Sequence, residues 1–252
     1  IAEARRAIEI RADLPETYVY LIGADWIFFA NGYDLNSKWL EAYPEHELFQ
    51  VARALSLVGA LAVGKSDDTP EAYTTYYDEM MGRLLEQYPE NLEVLEYHLQ
   101  RAMTRGKPRR VAELLSVSPP ETLEDSRFWR FKGWLHSDRD EYEEAEAAYC
   151  RSLELHPYDW HSHHELADVL RRLGRLEEVE RVTNLAMQGK QLMRSVLQSP
   201  DTQSIEAEVM RSMVDYARDC GDALVADRLA ERHREMLGVS RSERPLGPAA
   251  EL

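Results

Sequence analysis

Cysteine is nearly absent: 252 residues carry two, Cys150 and Cys220, with no short-spaced pair. That count argues against a disulfide framework and against a thiolate metal site, and leaves two buried thiols on helices as the expectation. Basic residues are also short, with 30 Lys and Arg against 46 Asp and Glu and a formal net charge of −16. Non-specific nucleic-acid binding depends on clustered Lys and Arg, and an anionic bilayer attracts polybasic patches, so neither partner is expected. No apolar run is long enough to cross a bilayer, because the most apolar early stretch, Tyr18 to Ala30, is broken by Asp25. A basic segment leading into an apolar core is missing as well, and a cytoplasmic location is expected. The chain opens on Ile1 rather than Met, which reads as part of a longer polypeptide. No segment alternates with period two over a useful length, so no sheet is expected.

The reagents of catalysis are missing too. There is no Gly-rich dinucleotide loop, no nucleophile elbow and no Cys-His arrangement at a telling spacing. Carboxylates are abundant, but along faces such as Asp138 to Glu146 they read as solvated surface. A non-catalytic chain without a cofactor is the expectation.

What is present is helical periodicity. Ala4, Ala7 and Ile8 share a face on a first helix that ends at Asp13-Leu14-Pro15. An aromatic-rich helix is expected from Glu16 to Ala30, closing at Asn31-Gly32, followed by an irregular stretch from Tyr33 to Tyr43. Glu45 to Val63 reads as a long helix with Leu48, Val51, Ala52, Leu55, Val58 and Ala62 near one face. A loop over Gly64–Thr69 leads to a helix that opens at Pro70 and runs to about Tyr88. Further on, Leu95, Leu99 and Ala102 mark one helix, Gly106 a turn, and Val111, Leu114 and Leu115 a short second helix cut off by Ser116 to Pro120. A helix from Leu176 is expected to run on to Leu197 and stop at Ser199-Pro200. A last hairpin follows, in which Met210, Val214 and Ala217 face Leu224, Leu229 and Ala230. Residues 239–252 have no apolar periodicity and are read as a disordered tail or linker.

The strongest signal is a period. Residues 126–193 contain Trp129, Gly133, Tyr142, Ala145, Tyr149, Ser152 and Pro157, then Leu166, Ala167, Leu170, Gly174, Leu176 and Ala186. When the first half is shifted onto the second, Gly133 falls on Ala167, Tyr142 on Leu176 and Ser152 on Ala186, all by the same step. A repeating unit of about 34 residues with two helical stretches resembles the tetratricopeptide repeat (TPR) family. The likeness is clear over 126–187; the second unit departs with His163 and Thr183 where large rings are typical. The resemblance implies an all-α fold, a right-handed superhelical solenoid of antiparallel helix hairpins. Its units would lie near 70–91, 92–125, 126–159, 160–199 and 205–238, behind an N-terminal helical segment at 1–63.

Two patterns compete with that reading. Gly59 to Ser66 matches the phosphate-loop pattern G-x-x-x-x-G-K-[ST], which needs a strand before the loop and a helix opening at the Lys-Ser pair. Here the residues before it are helical in pattern, and Asp67-Asp68 puts negative charge where phosphates would sit, so a helix end and a loop are expected. His156, His161, His163 and His164 cluster ahead of Asp168. On a helix, His161, His164 and Asp168 share a side and would converge on a divalent metal, whereas His163 points to the hairpin interior. The zinc-protease pattern H-E-x-x-H fails at Asp168, and a polar groove wall is expected there rather than a metal site.

In the TPR family the first helix of each hairpin lines the concave wall, where peptides lie, and the resemblance carries that role onto particular residues. They are Glu93, Glu96, Tyr97 and Gln100; then Arg127, Arg130 and Trp134; then His161, His164, Asp168 and Arg171; and Glu208, Arg211 and Asp215 on the last hairpin. Arg127 and Arg130 would hold a carboxylate, with Trp134 as an apolar anchor, unless they pair with acids such as Glu93 and Glu96. The Lys and Asn residues of chaperone-binding TPR domains are not at matching places. The expected function is a protein-interaction scaffold for a peptide or protein partner. The rival reading is a regulatory or substrate-recruiting segment of a larger enzyme. A third is self-association through Trp26, Phe28, Phe29 and Tyr33.

Overall fold

Turns of three or four residues join most of the consecutive helices among the described residues. The computed structural model describes residues 2–10, 15–22, 32–63, 70–199 and 204–238. In chain order the helices are α1 (Ala2–Ile10), α2 (Pro15–Ile22), α3 (Gly32–Ala42), α4 (Glu47–Val63), α5 (Pro70–Gln87), α6 (Leu92–Thr104) and α7 (Pro108–Ser116). A 3₁₀ turn at Pro120–Glu124 precedes α8 (Ser126–Asp138), α9 (Tyr142–Leu155), α10 (Trp160–Arg172), α11 (Leu176–Leu197), α12 (Ala207–Asp219) and α13 (Ala223–Met236). The fold is all-α: among the described residues there is no strand, and no helix is long and apolar enough to cross a membrane.

Helix starts follow a fixed register. α6, α8 and α10 begin at equal intervals, at Leu92, Ser126 and Trp160, and each has 13 residues. Their partners begin at the same interval, at Pro108, Tyr142 and Leu176. Between them, Gly106, Asp140 and Gly174 all take positive φ. Glycine enters that left-handed region without a Cβ clash, and Asp is among the few other residues that tolerate it. Capping repeats as well: the side chains of Asn91 and Asp125, one interval apart, accept backbone N–H bonds at the starts of α6 and α8.

Contacts divide the chain into two compact units. One contains Ile27–His156 and His161–Val182, the other Ile1–Trp26, Pro157–Trp160 and Thr183–Leu252, so residues 1–63 are shared between them.

In the first unit apolar residues gather in three successive clusters. Val51 and Ala54 of α4 meet Tyr77, Met81 and Leu84 of α5 and Val94 of α6. Leu95, Leu99 and Ala102 of α6 meet Val111 and Leu114 of α7 and Phe128, Phe131 and Leu135 of α8. Ala145 and Tyr149 of α9 meet Leu166, Ala167, Val169 and Leu170 of α10 and Val182 of α11. In the second unit one cluster joins Ile8 of α1 and Tyr18, Val19, Leu21 and Ile22 of α2 to Leu185, Leu192 and Val196 of α11, Met210 and Met213 of α12, and Val225 and Leu229 of α13. Arg5 of α1 adds a 3.4 Å ion pair to Asp222, the cap of α13.

The structure corrects three local expectations. Tyr33 to Tyr43 is not irregular but forms most of α3. Gly32, Asn36 and Ser37 are weak helix formers; the helix is held by burial of Gly32 and Leu40, by packing on α4, and by Asn36 Nδ2 donating to the Gly32 carbonyl at 2.7 Å. Leu48, expected on the inner face of α4, is 62 % exposed, and Ala54 is buried in the core with Val51. Leu224 is exposed too, because the helical phase set by the Asp222 cap turns Val225, Ala226 and Leu229 inward. The expected α2 continuation to Ala30, the loop at Gly64–Thr69, the stop at Pro200 and the tail at 239–252 lie outside the described residues.

Gly133 of α8 lies against the Tyr149 ring of α9. A Cβ there would meet the Tyr149 ring at 2.8 Å, closer than real Cβ contacts come. Gly82 of α5 is the contrasting case, with nothing within 4 Å of such an atom. Gly133→Ala should therefore lower stability by about 1–2 kcal/mol, overpacking outweighing the gain in helix propensity. Gly82→Ala should raise it by about 0.5–1 kcal/mol. Chemical denaturation of the two single variants checks both signs.

Candidate interaction surface

The residues expected on a common wall fall at matched positions of α6, α8 and α10, all in the first unit. Glu93, Arg127 and His161 stand at the repeat interval, as do Glu96, Arg130 and His164, and again Gln100, Trp134 and Asp168. Arg211, on α12, belongs to the second unit and makes a 3.8 Å pair with Asp215.

Arg127 is committed within the chain. Its Nη1 and Nη2 donate to the Glu93 carboxylate at 2.9 and 2.7 Å, and its Nε and Nη2 donate to Asp125 at 3.1 and 2.7 Å. Asp125 also accepts the Arg127 backbone N–H at 2.9 Å, so the carboxylate that caps α8 also positions the guanidinium. Burial opposes the charge on Arg127, but the hydrogen bonds it donates to Glu93 and Asp125 outweigh it and raise the pKa. A partner's carboxylate would have to displace Glu93.

Arg130 is 8 % exposed, and its Nη2 donates to Gln100 Oε1 at 3.3 Å while its guanidinium lies 5.4 Å from the Phe131 ring centre. It faces the interior of the helix packing rather than solvent. Trp134 is half-buried against the α6–α8 cluster. His161, His164, Asp168 and Arg171 are exposed, and Arg171 donates to Asp168 across one turn. His163 is buried, as expected from its position. Among the described residues no group of three or more His, Cys, Asp or Glu side chains is placed to hold a metal ion. The first five residues of the phosphate-loop pattern, Gly59 to Val63, are helical, as the end of α4; Gly64 to Ser66 lie outside the described residues.

Sequence reasoning missed a carboxylate that gathers three side chains between α5 and α6. Asp78 of α5 accepts from the Tyr97 hydroxyl, from Arg101 Nε and Nη2 at 2.8 and 3.0 Å, and from Arg105 Nη2. The hydrogen bond from Arg101 is the main cause of the lowered Asp78 pKa, with burial working against it and Tyr97 and Arg105 adding to it. Burial first, and then Asp78, raises the Tyr97 phenol. The signal was available: Tyr97, Arg101 and Arg105 are spaced i, i+4, i+8 and put three donors on one face of α6. Of the three, Tyr97 alone was among the expected contact positions.

Compared with known proteins, the chain matches no family model and no curated sequence.

Two measurements test these networks. Arg127→Met should cost about 1–3 kcal/mol, because it strands the Asp125 and Glu93 carboxylates, whereas Glu93→Gln, at a half-exposed position, should cost less than about 1 kcal/mol. A double-mutant cycle by urea denaturation reads the coupling. Asp78→Asn should cost about 1–2 kcal/mol at neutral pH. A carboxyl whose folded pKa is lowered stabilises above its unfolded value and loses that stabilisation as pH falls through the folded one. The gap between native and Asp78→Asn proteins should therefore narrow only below about pH 3.8, the ordinary carboxyl value.

Proposed function

We propose that the chain is a TPR-like repeat protein acting as a non-catalytic scaffold. In this reading α6–α7, α8–α9 and α10 with the first turns of α11 are successive units of a right-handed solenoid. An extended or helical peptide would lie along the wall formed by α6, α8 and α10. The constant register of helix starts, the equal lengths of the first helices and the matching positive-φ turns support the repeat. Three apolar clusters in succession, rather than one central core, are also what stacked hairpins require.

The observation that carries the binding role is the recurrence of polar side chains at matched wall positions, with the exposed set His161, His164 and Asp168 on α10. The arginines of α8 serve this reading as supports: Arg127 fixes Glu93 in place, and Arg130 underlies Gln100. Specificity then comes from Glu93, Glu96, Tyr97 and Gln100 on one side and from the α10 residues on the other, with Trp134 between them.

A displayed library of random peptides, selected on the full chain, tests this. Selected peptides should lose at least about tenfold in affinity for a His161→Ala, His164→Ala, Asp168→Ala variant whose helicity is unchanged, as expected when central interface contacts are removed. Equal affinity for that folded variant overturns the wall as the binding surface.

A further inference from the structure

The α3–α4 turn holds an unusual share of exposed apolar surface. Of the fifteen large apolar side chains exposed among the described residues, five lie between Tyr33 and Leu48: Tyr33, Leu35, Trp39, Tyr43 and Leu48. Trp39 is 53 % and Tyr43 55 % exposed. These rings are held in place from one side. Phe49 of α4 stacks on Trp39 with 5.8 Å between centroids and 16° between planes, and it contacts Tyr43 at 6.4 Å and His46 at 4.5 Å. Aromatic side chains fixed this way give contact area at low entropic cost.

The charges around the rings indicate what would cover them. From Glu41 to Gln50 the chain carries Glu41, Glu45 and Glu47, all exposed, and no Lys or Arg. Asp34, Lys38 and Arg53 are the other charged residues of the two helices. Glu47 Oε1 is positioned by Asn91 Nδ2 at 2.7 Å. The Tyr88 phenol has a raised pKa, through burial first and then through Glu45 and Glu47, consistent with negative potential at this turn. A second copy of the chain docking here about a two-fold axis would bring the same three glutamates together, in a molecule already at −16. A proline-rich segment would use the rings and leave the carboxylates without partners. An arginine side chain uses both, because its planar guanidinium stacks on Trp and Tyr faces and forks onto carboxylates.

We propose that Trp39, Tyr43 and Phe49, with Glu41, Glu45 and Glu47, form a docking site for an arginine-rich segment of a partner protein. The site uses α3, α4 and the turn between them, and shares no residue with the proposed α6, α8 and α10 wall. It selects arginine over lysine, since an ammonium pairs with the glutamates but does not stack as a plane on the rings.

The test is calorimetric titration of the full chain with a short peptide of alternating Arg and Gly, beside matched Lys-Gly and Glu-Gly peptides. The arginine peptide should bind saturably, one to one, with the lysine peptide weaker and the glutamate peptide not binding. Trp39→Ala should weaken arginine-peptide binding at least about tenfold, and so should a combined Glu41→Gln, Glu45→Gln, Glu47→Gln variant, which would also flatten the salt dependence. The glutamine variant changes only exposed side chains, so it keeps the test open if Trp39→Ala disturbs folding; circular dichroism monitors both. Equal binding by the native chain and the folded variants would mark a generic attraction to an acidic protein and overturn the site. Absence of binding, or Trp39-dependent self-association in sedimentation, overturns it as well.

Discussion

Val94 and Leu95 are neighbours on α6, yet they belong to different apolar clusters, one shared with α4 and α5 and the other with α7 and α8. A two-helix hairpin has too little apolar surface to offset its own ordering entropy, so each must borrow a face from the next. α6 meets that demand on both sides at once; α8 shares a cluster with α6 and α7 and packs on α9, and α10 shares one with α9 and α11. Stability in this unit is thus distributed along the chain, and any polar feature on these helices must fit around two packing faces.

Polar chemistry on α6 and α8 follows from that constraint. Little of each helix is left for solvent, and there charged groups first satisfy one another. Asp125 caps a helix and grips Arg127; Arg127 then reaches across to Glu93; Asp78 gathers Tyr97, Arg101 and Arg105. Such pairs fix neighbouring helices in register, which apolar contact alone does loosely, because packing is non-directional and hydrogen bonds are not.

The amino-acid pattern revealed α6 to α13 well because Gly106, Gly174 and Gly221 mark turns and proline marks starts. It did not reveal α3, whose Asn, Ser and Gly argue for a loop and whose helix depends on packing against α4, a tertiary effect with no local trace. Asp140 was equally silent, since an aspartate in a left-handed turn looks like any surface acid. For the expected contact positions on α6, α8 and α10, helical spacing named the residues and offered Glu93 as the alternative partner of Arg127, which is the pairing found. The burial of Arg130 was not legible, because it depends on Gln100 and other residues packed on it from about 30 positions away.

Gly133 of α8 lies against Tyr149 of α9, and one register interval earlier stand Leu99, in the α6–α8 cluster, and Leu115, packed against it. One pair combines the smallest residue with a large ring; the other joins two medium side chains. Helix starts thus recur at one interval while the residues that meet between the helices change in size and shape. Substitution of that kind removes likeness position by position while leaving helix boundaries in place. A helical repeat can in this way keep its register long after its residues have ceased to look alike.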